Sequence, residues 1–115
     1  MMKTQVIDGV PSVQPGDLAS ALKEARLVDV RRPDEYVGEL GHVEGAELVT
    51  LGPDLEKWLA AGNRDQAIVF ICRSGGRSGQ ATQASLAMGY KNVVNMVGGM
   101  LLWNKLGLPT AGKSS

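Results

Sequence analysis

The residues with the clearest chemical potential are Cys72-Arg73-Ser74-Gly75-Gly76-Arg77-Ser78. They follow the apolar run Ala67-Ile68-Val69-Phe70-Ile71 and precede a segment with helical spacing. A buried strand therefore ends at a cysteine, and a small Gly-containing turn leads into a helix. In open α/β sheets, ligands bind beyond the carboxyl ends of the strands, and Cys72 stands at such an end. Gly75 and Gly76 let successive backbone N–H groups point inward as a nest. The helix N-terminus adds partial positive charge, and Arg73 and Arg77 add full charges. Such a field favours an anion: a Cys72 thiolate with a lowered pKa and ready nucleophilicity, an oxyanion substrate, or a charged persulfide. An isolated free cysteine is more often an inert core residue. The company of Ser, Gly and Arg at a strand-to-helix turn makes Cys72 a site candidate.

The remaining candidates each have a blander role to weigh. Arg73 and Arg77 suit an anionic ligand, and Arg77 equally suits holding the loop from its far end. Ser74, Gly75 and Gly76 would act through backbone N–H groups, and Ser78 caps the helix or bonds within the loop. Asp29, at the end of an apolar strand, anchors the neighbouring loop or pairs with an arginine near the site. Arg31 and Glu35 are four positions apart, the spacing of a salt bridge that would shape the first loop. His42 is the single histidine. A Cys-His pair would suit a protease-like mechanism, but no accompanying oxyanion or substrate-binding signature supports a general base. Trp58 and Trp103 read as packing residues, and the five methionines as core filler.

The elements that must position the loop follow from hydrophobic spacing. Val6-Ile7 opens as a weak strand. Residues 15–25 read as a helix with Leu18, Ala21, Leu22 and Ala25 on one face. Residues 27–30 form a short buried strand, residues 33–36 a helical turn started by Pro33, and residues 38–45 a loop. Leu48-Val49 is a short strand. Residues 53–61 are a helix with Leu55, Trp58 and Leu59 inward, ended by Gly62. Residues 67–71 are the clearest strand, apolar throughout as in a central parallel strand. Residues 78–88 are a helix packing through Ala81, Ala84, Ser85 and Met88 and capped by Gly89. Residues 93–96 are a strand, Gly98-Gly99 a turn, and residues 100–106 the last helix. Strands alternating with helices predict a parallel α/β sheet with helices on both faces.

Length and composition fit one domain over 1–115, with a core at about 5–109 and a polar tail, Lys113-Ser114-Ser115, that frays. Twelve basic residues balance twelve acidic ones without a basic run, which argues against a nucleic-acid partner. One cysteine excludes an intrachain disulfide and a multi-cysteine zinc site. No segment has the length of a membrane span or the apolar core of a signal peptide. The reading is a cytoplasmic protein with no membrane partner, no metal and no organic cofactor. No apolar surface stripe demands a dimer, so a monomer is expected.

The chain resembles the rhodanese family of single-domain sulfurtransferases. Leu27-Val28-Asp29-Val30-Arg31 with Glu35-Tyr36 resembles its first signature, and Gly41-His42-Val43-Glu44-Gly45-Ala46 its second, with Val43-Glu44 where the family usually has Ile-Pro. Cys72 to Ser78 resembles its active-site loop, and Gly98-Gly99, Trp103 and Gly107-Leu108-Pro109 its closing signature. The four motifs stand in the family's order, and the resemblance spans roughly residues 14–109. The resemblance implies a rhodanese-like fold with a five-stranded parallel sheet flanked by helices. It implies thiosulfate sulfurtransferase activity by double displacement: Cys72 takes the outer sulfur of a donor such as thiosulfate, then passes it to cyanide, a thiol or a sulfur-relay protein. It gives His42 a structural part, bonding loop backbone, and lets Glu44 alter the pocket rim. Two other readings stand beside it, a non-catalytic persulfide carrier or interaction module, and a cysteine-dependent phosphatase or arsenate reductase. Those related enzymes carry five residues between Cys and Arg, whereas four separate Cys72 from Arg77. A shorter loop makes a cradle sized for sulfur rather than phosphate.

Overall fold

The computed structural model describes residues 2–112; the polar tail at 113–115 lies outside the described residues. Strands β1 (Thr4–Ile7), β2 (Val10–Val13), β3 (Arg26–Asp29), β4 (Glu47–Leu48), β5 (Ile68–Ile71) and β6 (Val93–Met96) form one sheet in the order β1-β2-β6-β5-β3-β4. The pairs β2–β6, β6–β5, β5–β3 and β3–β4 are parallel, and β1 runs antiparallel to β2 at the edge. The sheet thus has six strands where five were expected. The extra one comes from a hairpin whose turn is Asp8-Gly9, with φ of 51° and 79°, the left-handed pair that a two-residue hairpin requires. Pro11 sits opposite Val6 of the edge strand, and the β6 ladder begins only at Ser12, so its missing N–H leaves the parallel ladder intact.

Helices α1 (Pro15–Ala19), α2 (Pro33–Tyr36), α3 (Pro53–Ala61), α4 (Gly76–Ala87) and α5 (Gly99–Lys105) cover the sheet, with a 3₁₀ turn at Leu22–Glu24. All four residues of β5 are buried because β5 lies between β6 and β3 with packed layers on both faces. Leu27, Val69, Ile71 and Met96 point to one face, against Leu18 of α1 and Met100 and Trp103 of α5. Val28, Ile68, Phe70, Cys72 and Val93 point to the other, against Leu55 and Leu59 of α3 and Ala81 of α4. Among the described residues, no helix is long and apolar enough to cross a membrane.

Several elements differ from their expected bounds. The first helix stops at Ala19, because Ala21 leaves the helical region at φ −141°, ψ 29° before the 3₁₀ turn. Gly16 and Ser20 are weak helix formers that give little resistance to the break. Helix α4 starts at Gly76 and buries Ser78, Ala81, Thr82 and Ser85, while Ala84 faces solvent. The buried hydroxyls bond one turn back, Thr82 to the Ser78 carbonyl at 2.8 Å and Ser85 to that of Ala81 at 2.7 Å, so small polar side chains let α4 lie close to the sheet. Gly62 ends α3 at φ −82°, without a left-handed turn. Its use is space, since a Cβ there would lie 2.2 Å from the Tyr90 hydroxyl. Trp103 is buried, whereas Trp58 is half-buried with the Arg26 guanidinium 4.9 Å from its ring centre. Met96 and Met100 are core residues, Met2 and Met88 pack at its margin, and Met1 lies outside the described residues.

The closing segment reaches back to the cysteine strand. The first turn of α5 donates from Met100 N–H to the Cys72 carbonyl at 2.8 Å and from Leu101 N–H to that of Arg73 at 3.0 Å. Gly99 makes the approach feasible: its φ is +58°, and a Cβ would fall 2.5 Å from the Cys72 and Arg73 backbone. Gly76 has nothing within 4 Å of such a Cβ and no positive φ. Gly99→Ala is therefore expected to lose more than about 1–2 kcal/mol, the cost of a left-handed alanine, with the clash added. Gly76→Ala is expected to be neutral or to gain about 0.4–1 kcal/mol. Urea unfolding of the two variants checks the contrast.

Candidate active site

Cys72 begins where β5 ends, and its side chain is 1% exposed. Alternation along the strand turns it to the α4 face. Gly75, at φ +105°, curls the backbone back so that its N–H donates to Cys72 Sγ at 3.0 Å. Ser78, in the first turn of α4, brings its Oγ to 3.2 Å from the sulfur. The loop does form a turn that aims N–H at sulfur, but it does so through Gly75. Ser74 and Gly76 make no bond to Sγ, and Gly76 is already the first residue of the helix.

The arginines divide into different tasks. Arg77 donates to both Glu35 carboxylate oxygens, at 2.6 and 2.8 Å. Glu35 also accepts the Arg32 N–H at 3.1 Å. The bonds from Arg77 hold the Glu35 carboxyl down to about 2, against burial that raises it. Arg77 therefore ties the cysteine loop to α2. The expected Arg31–Glu35 pair does not form. Arg31 turns instead to Asp29, with Nε at 2.9 Å and Nη2 at 2.8 Å from its oxygens, and Nη2 also donates to the Gly41 carbonyl at 2.7 Å. Asp29 and Arg31 are both buried, so each needs the other close by, and this pair fixes the Gly41 loop. Arg73 is exposed, and its guanidinium makes no ion pair or hydrogen bond among the described residues.

His42 is built into the scaffold. Its Nδ1 bonds the Tyr36 carbonyl at 2.9 Å, its ring stacks on Tyr36 at 3.7 Å, and its backbone bridges to Ala111. None of these contacts involves Cys72. Val43 is buried, and Glu44 is exposed and does not line the cleft beside the loop. The cleft has a volume of about 400 Å³ and is lined by Asp34, Glu35, Glu39, Leu40, Arg73 and Leu101, among others. Asn95 was not among the sequence candidates. Its Oδ1 lies 2.5 Å from Ser78 Oγ, and the signal for it is a polar residue inside the otherwise apolar run Val93-Val94-Asn95-Met96.

Residues 14–106 match the rhodanese-like domain family. Thiosulfate sulfurtransferase 16, chloroplastic, of Arabidopsis thaliana is 36% identical over 96 residues, covering 74% of this chain and 78% of that one. The putative sulfur carrier protein YrkF of Bacillus subtilis is 38% identical over 77 residues, covering 67% of this chain and 40% of that one. The human single-domain sulfurtransferase TSTD1 superposes with a TM-score of 0.73 at 31% identity, covering 84% of this chain and 97% of that one. The chain spans 45% or less of the length of several curated relatives it matches.

The Arg77–Glu35 pair makes a pH-dependent tether. A carboxyl depressed from 4.5 to about 2 stabilises the fold fully above 4.5, and the contribution is lost as pH falls through about 2. Partial exposure screens the pair, so Glu35→Gln is expected to cost about 1–2 kcal/mol near neutrality. The wild-type advantage should shrink between pH 4.5 and 2, as measured by denaturant unfolding of both proteins across that range.

Proposed function

The chain belongs to the rhodanese-like domain family, and from that premise we propose that it moves sulfane sulfur from thiosulfate or a similar donor to a thiophilic acceptor through a persulfide on Cys72. The observation that carries the proposal is the sulfur cradle: Cys72 Sγ faces the Gly75 N–H at 3.0 Å and the Ser78 hydroxyl at 3.2 Å. Donors at these positions stabilise a charged sulfur, whether thiolate or persulfide.

In the first half-reaction, the Cys72 thiolate attacks the outer sulfur of thiosulfate. A Cys72 S–S bond forms, the bond to the sulfonate sulfur breaks, and sulfite leaves with the electron pair. In the second, an acceptor thiolate or cyanide attacks the terminal sulfur, and Cys72 departs as the thiolate. Both halves balance without a redox cofactor. Arg73, with its guanidinium unpaired, meets the anionic donor. Arg77 holds the loop through Glu35, and Asp29, Arg31 and His42 hold the loops around it. We read the chain as one domain, acting in a reducing compartment such as the cytoplasm, where a lone cysteine remains a thiol.

One observation favours a second reading, a carrier loaded by a partner protein. Asp34, Glu35 and Glu39 line the cleft, where Arg73 is the one cation without a carboxylate partner among the described residues. A free dianion meets like charge there. Phosphatase chemistry is disfavoured, because the loop is short and Arg77, at the position where a phosphate would need it, is committed to Glu35.

Intact-protein mass spectrometry after incubation with thiosulfate, on wild type and Cys72→Ser, decides between them. Gain of one sulfur atom on wild type alone, removed by cyanide with release of thiocyanate, is the expected result. Loading by polysulfide or a persulfidated partner but not by thiosulfate would select the carrier. No loading from any source would overturn both.

A further inference from the structure

Ser78 Oγ stands 3.2 Å from Cys72 Sγ and 2.5 Å from Asn95 Oδ1. A hydroxyl has one proton to give, and it cannot serve both neighbours. With the amide oxygen facing it, Ser78 donates to Asn95, and a Cys72 thiol can give its S–H to Ser78 Oγ. Once the sulfur is a thiolate or persulfide, that S–H is gone. Ser78 would then lie between two acceptors with one proton, and a buried acceptor without a donor is costly. A half-turn of the Asn95 carboxamide removes the conflict. Nδ2 then donates to Ser78 Oγ, and Ser78 donates to the charged sulfur. The turn forfeits nothing, because among the described residues Asn95 Nδ2 makes no hydrogen bond to the protein and Asn95 is half-buried.

We propose that Asn95 is a positioning residue for the sulfur site, its amide turning between two orientations and directing the Ser78 proton to the sulfur only when the sulfur is charged. The proposal deepens the sulfur-transfer reading and rests on it. The charged groups around Cys72 are the Arg77–Glu35 pair from α4 and α2, the Asp29–Arg31 pair at the end of β3, and Arg73 in the loop. Strand β6 and the first turn of α5 bring no charge. These groups are the same for both amide orientations, so the direction of one hydroxyl proton is what changes.

The experiment is the ultraviolet thiolate absorbance of the single cysteine against pH, with Cys72→Ser as the blank. It reads the thiol without any sulfur transfer, so it stands or fails separately from the proposed activity. Asn95→Leu, similar in size but without hydrogen bonds, is expected to move the titration to higher pH. The thiolate fraction on its acid limb should be roughly fivefold smaller, the scale of one hydrogen bond. Ser78→Ala should do the same, and the double variant should add nothing further. Asn95→Asp keeps the size of the side chain with an acceptor-only group and should move the titration the same way, which covers the case where Asn95→Leu fails to fold. An unmoved titration in either Asn95 variant, or an Asn95→Leu shift that persists undiminished in the Ser78→Ala background, would overturn the proposal.

Discussion

Two hydrogen bonds, from the Met100 and Leu101 N–H groups to the carbonyls of Cys72 and Arg73, decide what the cysteine loop can offer a ligand. A trans peptide points its N–H opposite its C=O. With both carbonyls held by α5, the N–H groups of Arg73 and Ser74 turn away from that helix, and the next one, at Gly75, curls back to the sulfur. A loop whose carbonyls faced the sulfur would repel a thiolate. Everything that places α5 serves this arrangement. Gly99 permits the approach, Met100 and Trp103 anchor the helix in the core beside Leu18, and Trp103 Nε1 donates to the Pro109 carbonyl at 2.8 Å. The closing segment thus acts on the cysteine loop from behind.

The charges follow a similar division of labour. Two guanidinium groups near the site are spent on carboxylates: Arg31 on buried Asp29, and Arg77 on Glu35. Both pairs fix backbone, one the Gly41 loop and the other the junction of α2 with α4. Arg73 is left as the exposed, unpaired cation beside a cleft with three carboxylates. On the proposed reading, the stabilisation of charged sulfur consequently falls on dipoles, the Gly75 N–H and the Ser78 O–H, which need no counterion.

What was legible in the sequence follows from range. The central strand reads directly because β5 is apolar on both faces, and the cysteine at its end reads because the turn chemistry is local. The β2 strand was missed because Pro11 and Ser12 interrupt its apolar pattern, although Asp8-Gly9 marks the hairpin. Arg31 and Glu35 have a helical spacing, yet Arg31 precedes α2 and its side chain turns inward to Asp29, two positions away. Glu35 instead finds Arg77, 42 positions on, a contact created only by the parallel sheet. The same holds for Ser78 and Asn95, 17 positions apart, which meet because α4 packs against β6. Local chemistry located the cysteine, and topology supplied its partners.

Helix α5 holds the loop carbonyls so that N–H groups remain for sulfur. The most direct test is the ¹H–¹⁵N spectrum of the protein before and after Cys72 is converted to the persulfide. The Gly75 amide is expected to move downfield, while the Met100 and Leu101 amides keep their positions because their carbonyl partners do not move. A Gly75 amide that does not respond, together with displaced Met100 and Leu101 amides, would contradict it, because the loop would then have released α5 to accept the sulfur.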